Sequence, residues 1–146
     1  MLFSSEILDA PVAVTGTPEV RLFVSSDCPD TDFMVRLTDV YPDGRSMLVA
    51  DGAAKGRLRN GFDHEDMMDP NEVYEIVVRL PAVAMSFEAG HRIRAVVSSS
   101  NAPRFSKNPN TDDPIGASDA TAQVATNTLY FGGDQPARLV LPVVAE

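Results

Sequence analysis

The stretch Phe33-Met34-Val35-Arg36-Leu37-Thr38-Asp39-Val40-Tyr41-Pro42-Asp43-Gly44 decides the fold class. Phe33, Val35, Leu37 and Tyr41 share one parity, and a strand turns residues of one parity to one face. The run ends on Tyr41-Pro42-Asp43-Gly44, where proline presets φ at the second turn position and glycine accepts a positive φ. This predicts a strand over 33–41, a tight turn, and a hairpin partner over 46–51. Working outward, the same period of two recurs. Val20, Leu22 and Val24 alternate within 19–25, Tyr74, Ile76, Val78 and Leu80 within 73–80, and Ile93, Ala95 and Val97 within 92–98. Each pattern fits a strand with one packed face and one wet face. Further strands are expected near 2–5, 11–15, 54–60, 84–88, 126–131 and 137–142, with a second tight turn at Glu88-Ala89-Gly90-His91. Many short strands separated by turn signals predict an all-β sandwich or barrel. Two stretches break the pattern, 61–71 and 102–121, and both read as surface loops. No internal repeat or linker divides the chain, so residues 1–146 are expected to form a single domain.

Composition narrows the function. The 146 residues include 44% hydrophobic and 23% charged residues, enough apolar matter for one real core. The formal net charge is −9. Nucleic acid and anionic membrane attract the opposite sign, so neither is an expected partner. Cys28 is the single cysteine, which rules out an internal disulfide and fits a reducing compartment. No apolar run reaches the ~18 residues of a membrane helix, and residues 1–6 lack a basic leader. A cytoplasmic location is the default expectation.

No chemistry-bearing constellation stands out. Gly116-Ala117-Ser118-Asp119-Ala120 superficially echoes a nucleophile elbow. An elbow needs a strand before it and a helix after it, and both histidines, His64 and His91, precede Ser118, against the usual Ser-Asp-His order. Asp27, Asp30 and Asp32 offer the oxygens a hard cation takes, but their spacing is not that of an EF-hand loop. Turn-forming Asx contacts are the expectation. His64 among Asp63, Glu65, Asp66 and Asp69 reads as a solvated acidic loop, since zinc sites gather several His or Cys at short spacing. His91 beside Gly90 reads as structural. The hydroxyls of Ser98-Ser99-Ser100-Asn101 are expected to satisfy backbone or cross-strand groups. No metal, no cofactor and no catalytic residue is expected on this chain.

Ordered motifs then connect the chain to known proteins. Ser25-Ser26-Asp27-Cys28-Pro29-Asp30-Thr31-Asp32-Phe33 is followed by Val40-Tyr41-Pro42-Asp43-Gly44-Arg45 and Ala89-Gly90-His91-Arg92-Ile93-Arg94. Next come Ser98-Ser99-Ser100-Asn101-Ala102-Pro103-Arg104-Phe105 and Asn108-Pro109-Asn110-Thr111. Ala125-Thr126-Asn127-Thr128-Leu129-Tyr130 and Leu139-Val140-Leu141-Pro142-Val143 close the series. In this order they resemble the C-terminal domain of the X-Pro dipeptidyl-peptidase and cocaine-esterase (CocE/NonD) hydrolases. The resemblance implies a jelly-roll sandwich akin to galactose-binding-like domains, lacking its first strands here. It implies that the Ser-Asp-His triad lies on a separate α/β-hydrolase domain, the expected partner. The chain departs from the family at Phe131-Gly132-Gly133, where a histidine often follows the tyrosine, and at Asp112, where glycine usually stands.

Three functions follow as expectations. The first is an accessory, non-catalytic domain that supports a hydrolase acting on peptides or esters, walls its substrate pocket or holds a homo-oligomer. Asn101, Pro103, Arg104, Phe105, Asn108 and Asn110 are its candidate interface or pocket-wall residues, with Phe105 either anchoring an interface or packing its own loop. The second is a free-standing carbohydrate-binding module, disfavoured by the absence of tryptophan and the presence of only three tyrosines. The third is a hydrolase in its own right through Ser118.

Overall fold

A computed structural model describes residues 1–117, 122–134 and 136–144. Ten strands build it: β1 (Leu2–Ser4), β2 (Val12–Gly16), β3 (Glu19–Ser26), β4 (Asp32–Val40), β5 (Ser46–Lys55), β6 (Tyr74–Arg79), β7 (Val83–Phe87), β8 (Arg92–Ser98), β9 (Asn127–Tyr130) and β10 (Arg138–Val140). One sheet runs β1-β8-β4-β5. A second runs β10-β3-β6, with β9 pairing the far half of β3. β2 and β7 form a two-stranded ribbon. Residues 142–144 tie this ribbon to β10. The Thr15 N–H donates to the Pro142 carbonyl at 3.0 Å, and the Val144 N–H to the Ala13 carbonyl at 2.9 Å. Every strand pair is antiparallel. The result is an all-β jelly-roll sandwich, as the strand pattern and the resemblance led us to expect.

The core lies where the two layers face each other. Val20, Leu22 and Val24 of β3 meet Phe33, Val35 and Leu37 of β4, with Ile76, Val78, Val97 and Phe87 completing the cluster. All but Phe87 are residues the period of two selected; Tyr41, selected with them, lies just past β4 and outside the core cluster. The Tyr41–Gly44 turn forms as expected: the Gly44 N–H donates to the Tyr41 carbonyl at 2.9 Å and joins β4 to β5.

Three expectations need correction. The separate strands near 46–51 and 54–60 are one strand, β5, which closes into a 3-10 turn at Gly56–Leu58. Gly52-Ala53-Ala54 is weak strand sequence, but its pairing with β4 runs on to Lys55 after a bulge that faces Leu37 with Ala50 and Thr38 with Leu48. Tertiary pairing wins over local propensity here. Next, β4 has no wet face along most of its length. Met34, of the parity opposite to the core, is 2% exposed, because the segment after β8 lies over it. Finally, the 61–71 loop is not merely solvated: Met68 within it is 2% exposed. No helix among the described residues is long and apolar enough to cross a membrane.

Candidate functional site

The long segment after β8 returns across the outer face of β4 and β5, and charged groups beneath it hold it there. Arg57, on the 3-10 turn, is 1% exposed. Its Nε donates to Asp30 Oδ2 at 2.8 Å, and its backbone N–H to Asp30 Oδ1 at 2.9 Å. One Nη donates to Glu65 Oε2 at 3.0 Å and to the Asp113 carbonyl at 2.8 Å. The other donates to the Thr111 carbonyl. One guanidinium therefore joins the β3–β4 connection, the acidic loop and the long segment. A buried ion pair holds only when its remaining hydrogen-bonding capacity is largely met, and four of the five guanidinium N–H groups have acceptors here.

Asn108 completes the cluster. Its Nδ2 donates to Asp30 Oδ2 at 2.9 Å and to Asp32 Oδ1 at 2.7 Å, and its Oδ1 accepts the Asn110 N–H at 2.9 Å. Lys55 Nζ lies 2.8 Å from Asp32 Oδ1. Asp27 accepts the Thr126 N–H at 2.7 Å, which holds its carboxyl below the usual carboxylate range. Thus the local turn contacts expected of Asp27, Asp30 and Asp32 give way to partners distant in sequence, although Asp27 also bonds its own backbone and the Cys28 thiol. Asp30 and Asp32 take cationic partners from the β5 end, and Asp27 anchors the segment before β9. The acidic loop behaves similarly. Glu65 serves Arg57, and Asp66 lies 2.9 Å from Arg59 Nη2, whose guanidinium stacks on Tyr74. His64 stays on the surface against Asp63.

Above this charged floor lies a cleft of about 390 Å³, walled in part by Met34, Ala53, Phe62, Phe105, Asn108 and Ile115. Of the six residues singled out from sequence, Phe105 and Asn108 line it. Phe105 is half-buried, with the Arg104 guanidinium 5.7 Å from its ring centroid. Arg104 and Asn101 instead converge on Asp51, Arg104 Nε at 2.6 Å and Asn101 Nδ2 at 3.4 Å. Pro103 is exposed and follows a cis peptide bond. Asn110 donates from Nδ2 to the Gln123 carbonyl. Sequence reasoning missed Arg57, Phe62 and Ile115. Only Phe62 left a signal, an aromatic in an otherwise acidic loop, and it is 93% exposed.

His91, expected to be structural, has a partner that the sequence did not reveal. Its Nδ1 lies 2.9 and 3.0 Å from the two Asp39 oxygens, and its ring packs on Tyr41. This is the acid–base half of a catalytic relay, but no serine or cysteine is hydrogen-bonded to the ring among the described residues. Ser118 lies outside the described residues. Ser99 Oγ accepts from Asn127 and Ser98 Oγ donates to the Ser100 carbonyl, in keeping with the bonding expected of these hydroxyls.

The family model for the X-Pro dipeptidyl-peptidase C-terminal non-catalytic domain matches residues 1–140. The chain belongs to this family. Cocaine esterase from Rhodococcus sp. (strain MB1 Bresler) is 39% identical over 145 residues, covering 99% of this chain and 25% of that protein. An α-amino acid ester hydrolase structure superimposes with a TM-score of 0.92 at 31% identity, over 99% of this chain and 25% of that one. An aminopeptidase from a marine sediment Thaumarchaeota archaeon superimposes with a TM-score of 0.92 at 29% identity, over 99% and 26% respectively. The chain thus spans about a quarter of the length of the proteins it matches.

Proposed function

We propose that this chain is the accessory domain of a serine hydrolase of the cocaine-esterase type, acting on esters or peptides, and that its long-loop cleft packs against the α/β-hydrolase domain. The observation that carries the reading is the pairing of exposed apolar groups with a rigid base. Phe62 and Ile115 stand 93% and 55% exposed on a cleft whose floor is fixed by the Arg57–Asp30–Asn108 cluster. Exposed large side chains on a preorganised base are the form of an interface hot spot. Phe105, Asn108 and Arg104 belong to this surface as wall and support, with Asn101, Pro103 and Asn110 shaping the loop around it. The three comparison proteins, named for ester or peptide substrates, support a hydrolase context. A cytoplasmic setting belongs to this reading, since the single cysteine, Cys28, leaves the fold independent of an internal disulfide. In the absence of a hydrolase domain the isolated chain associates with copies of itself through its exposed apolar groups.

A chimera tests this reading directly. This chain replaces the matching quarter of the Rhodococcus cocaine esterase, and turnover of a chromogenic acyl ester is measured. The isolated chain is expected to show no turnover and the chimera to show it. Phe62→Ser should shorten the chimera's half-life on warming while leaving the stability of the isolated chain within about 0.5 kcal/mol. A chimera indifferent to Phe62→Ser would remove the loop cleft from the interface.

A further inference from the structure

The outer face of the first sheet continues past the loop cleft. Met34 is a wall of that cleft, and Arg36 is the next outward position of β4. Register places Arg36 opposite Val96 of β8, Thr38 opposite Arg94 and Val40 opposite Arg92. Residues directly opposite one another share a face, so Arg36, Arg92 and Arg94 lie together on this one. Little on the chain neutralises them. Arg36 is exposed, and its side chain makes no hydrogen bond or ion pair among the described residues. Asp51 stands opposite Arg36 across the β4–β5 ladder, but it is held by Arg104 Nε at 2.6 Å. Arg94 Nε donates to the Ser4 hydroxyl at 2.8 Å, and Arg92 Nη1 to the Ser5 carbonyl at 2.8 Å. The one carboxylate near either, among the described residues, is that of Glu6, fully exposed and 3.9 Å from Arg92. Exposed apolar groups flank the arginines in the same ladder rows: Leu2 opposite Val96, 65% exposed, and Leu48 opposite Thr38, 58% exposed.

We propose that this arginine face extends the domain interface beyond the loop cleft and takes a carboxylate-bearing surface of the α/β-hydrolase domain. The inference rests on the accessory-domain reading and deepens it by naming the chemistry of the partner's surface. Charge selects that chemistry. Acids outnumber bases 21 to 12 in this chain, yet the face gathers three arginines with one loosely held acid among the described residues. Like charges on neighbouring strands repel, and carboxylates arriving from outside turn that repulsion into attraction. Arginine suits the task. Its planar fork binds a carboxylate bidentately, and its weak hydration eases burial beside Leu2 and Leu48. Continuity selects the occupant. Met34 and Arg36 are successive outward positions of one strand, about 7 Å apart along it, so a body that covers the cleft reaches Arg36 without a gap.

Arginine labelling with phenylglyoxal, read residue by residue in a mass spectrometer, tests the face. Arg36 is followed in the dilute isolated chain and in the cocaine-esterase chimera. Arg79, on β6 of the other sheet with 76% of its side chain exposed, is the control. Arg36 should react about tenfold more slowly in the chimera, because a guanidinium held by carboxylates must leave them before it reacts. Arg79 should react equally in both. Arg36→Gln should shorten the chimera's half-life on warming without moving the denaturation midpoint of the isolated chain. Arg36→Lys, which keeps the charge, should recover most of that half-life. Equal labelling of Arg36 in the two settings overturns the proposal, and so do equal half-lives for Arg36→Gln and Arg36→Lys. Protection that appears in the concentrated isolated chain and is lost on dilution assigns the face to a second copy and also overturns it. The chimera separates this inference from the reading beneath it. Turnover that Phe62→Ser makes heat-labile, with Arg36 unprotected, overturns the arginine face alone. A chimera without turnover overturns the accessory reading and the arginine face with it.

Discussion

At the residue scale, Arg57 is the most consequential side chain outside the apolar core. Its guanidinium is the meeting point of three segments far apart in sequence, and its charge is balanced by Asp30, itself 1% exposed. Removing one partner of a buried pair leaves the other charge uncompensated. Arg57→Met should therefore cost about 3–5 kcal/mol in chemical denaturation, and Arg57→Met with Asp30→Leu should recover much of the loss. A loss under ~1 kcal/mol in the single variant would contradict this account. Asp27 makes a pH-dependent contribution. The Thr126 N–H lowers its folded-state pKa below the unfolded value, so its contribution is present above the unfolded value and is lost as pH falls through the folded one. Carboxyl NMR should show Asp27 titrating below a free aspartate, with the Thr126 amide shifting along the same curve. Asp27→Asn should remove that acid limb. None of these partnerships was legible in the sequence. Asp27, Asp30 and Asp32 were visible as a cluster, but their partners lie 99, 27 and 23 positions away, and sequence proximity drew the reading toward local turns.

At the scale of elements, the strands were legible because burial imposes parity. β3, β4, β6 and β8 present to the core the residues that alternation selected, and the Tyr41–Gly44 turn announced its hairpin through proline and glycine. β5 was harder to read. Its Gly52 looks like a break, yet a Cβ there would sit 2.7 Å from the Arg79 carbonyl oxygen and 3.0 Å from a Leu80 methyl. The glycine permits close approach of the two layers. Gly52→Val is thus expected to destabilise the fold by about 1–3 kcal/mol through overpacking. The measurement is a denaturation midpoint. Gly44→Ala is the comparison: no atom lies within 4 Å of its added methyl, and its cost comes from the positive φ of 90° alone. Equal losses from Gly52→Val and from a substitution at an exposed strand position would refute the close-approach account. The wet outer face expected of β4 failed for a related reason. Parity tells which residues share a face, but only the folded chain shows what covers each face.

At the scale of the whole molecule, of the strand pairs described β4–β5 alone joins strands consecutive in the chain. The others bring together segments separated by up to the full span from β1 to β8 or β3 to β10. The exposed apolar groups, Phe62, Ile115, Phe131, Val140 and Val143 among them, then lie on surfaces with no covering element among the described residues. Large exposed apolar patches mark interaction sites. Light scattering of the isolated chain across the micromolar range should accordingly report a mass that rises with concentration, and a constant monomer mass would count against self-association. Sequence by itself determined the strand alternation, the hairpin turn, the all-β class and, through seven ordered motifs, the family. Those features are local or lie in chain order, so they can be read along the chain. The tertiary structure alone decided which strands pair, that Arg57 locks the long segment over β4, and that Arg36 joins Arg92 and Arg94 on one outer face. Each of these depends on contacts between residues distant in sequence, where neither periodicity nor spacing records the partner.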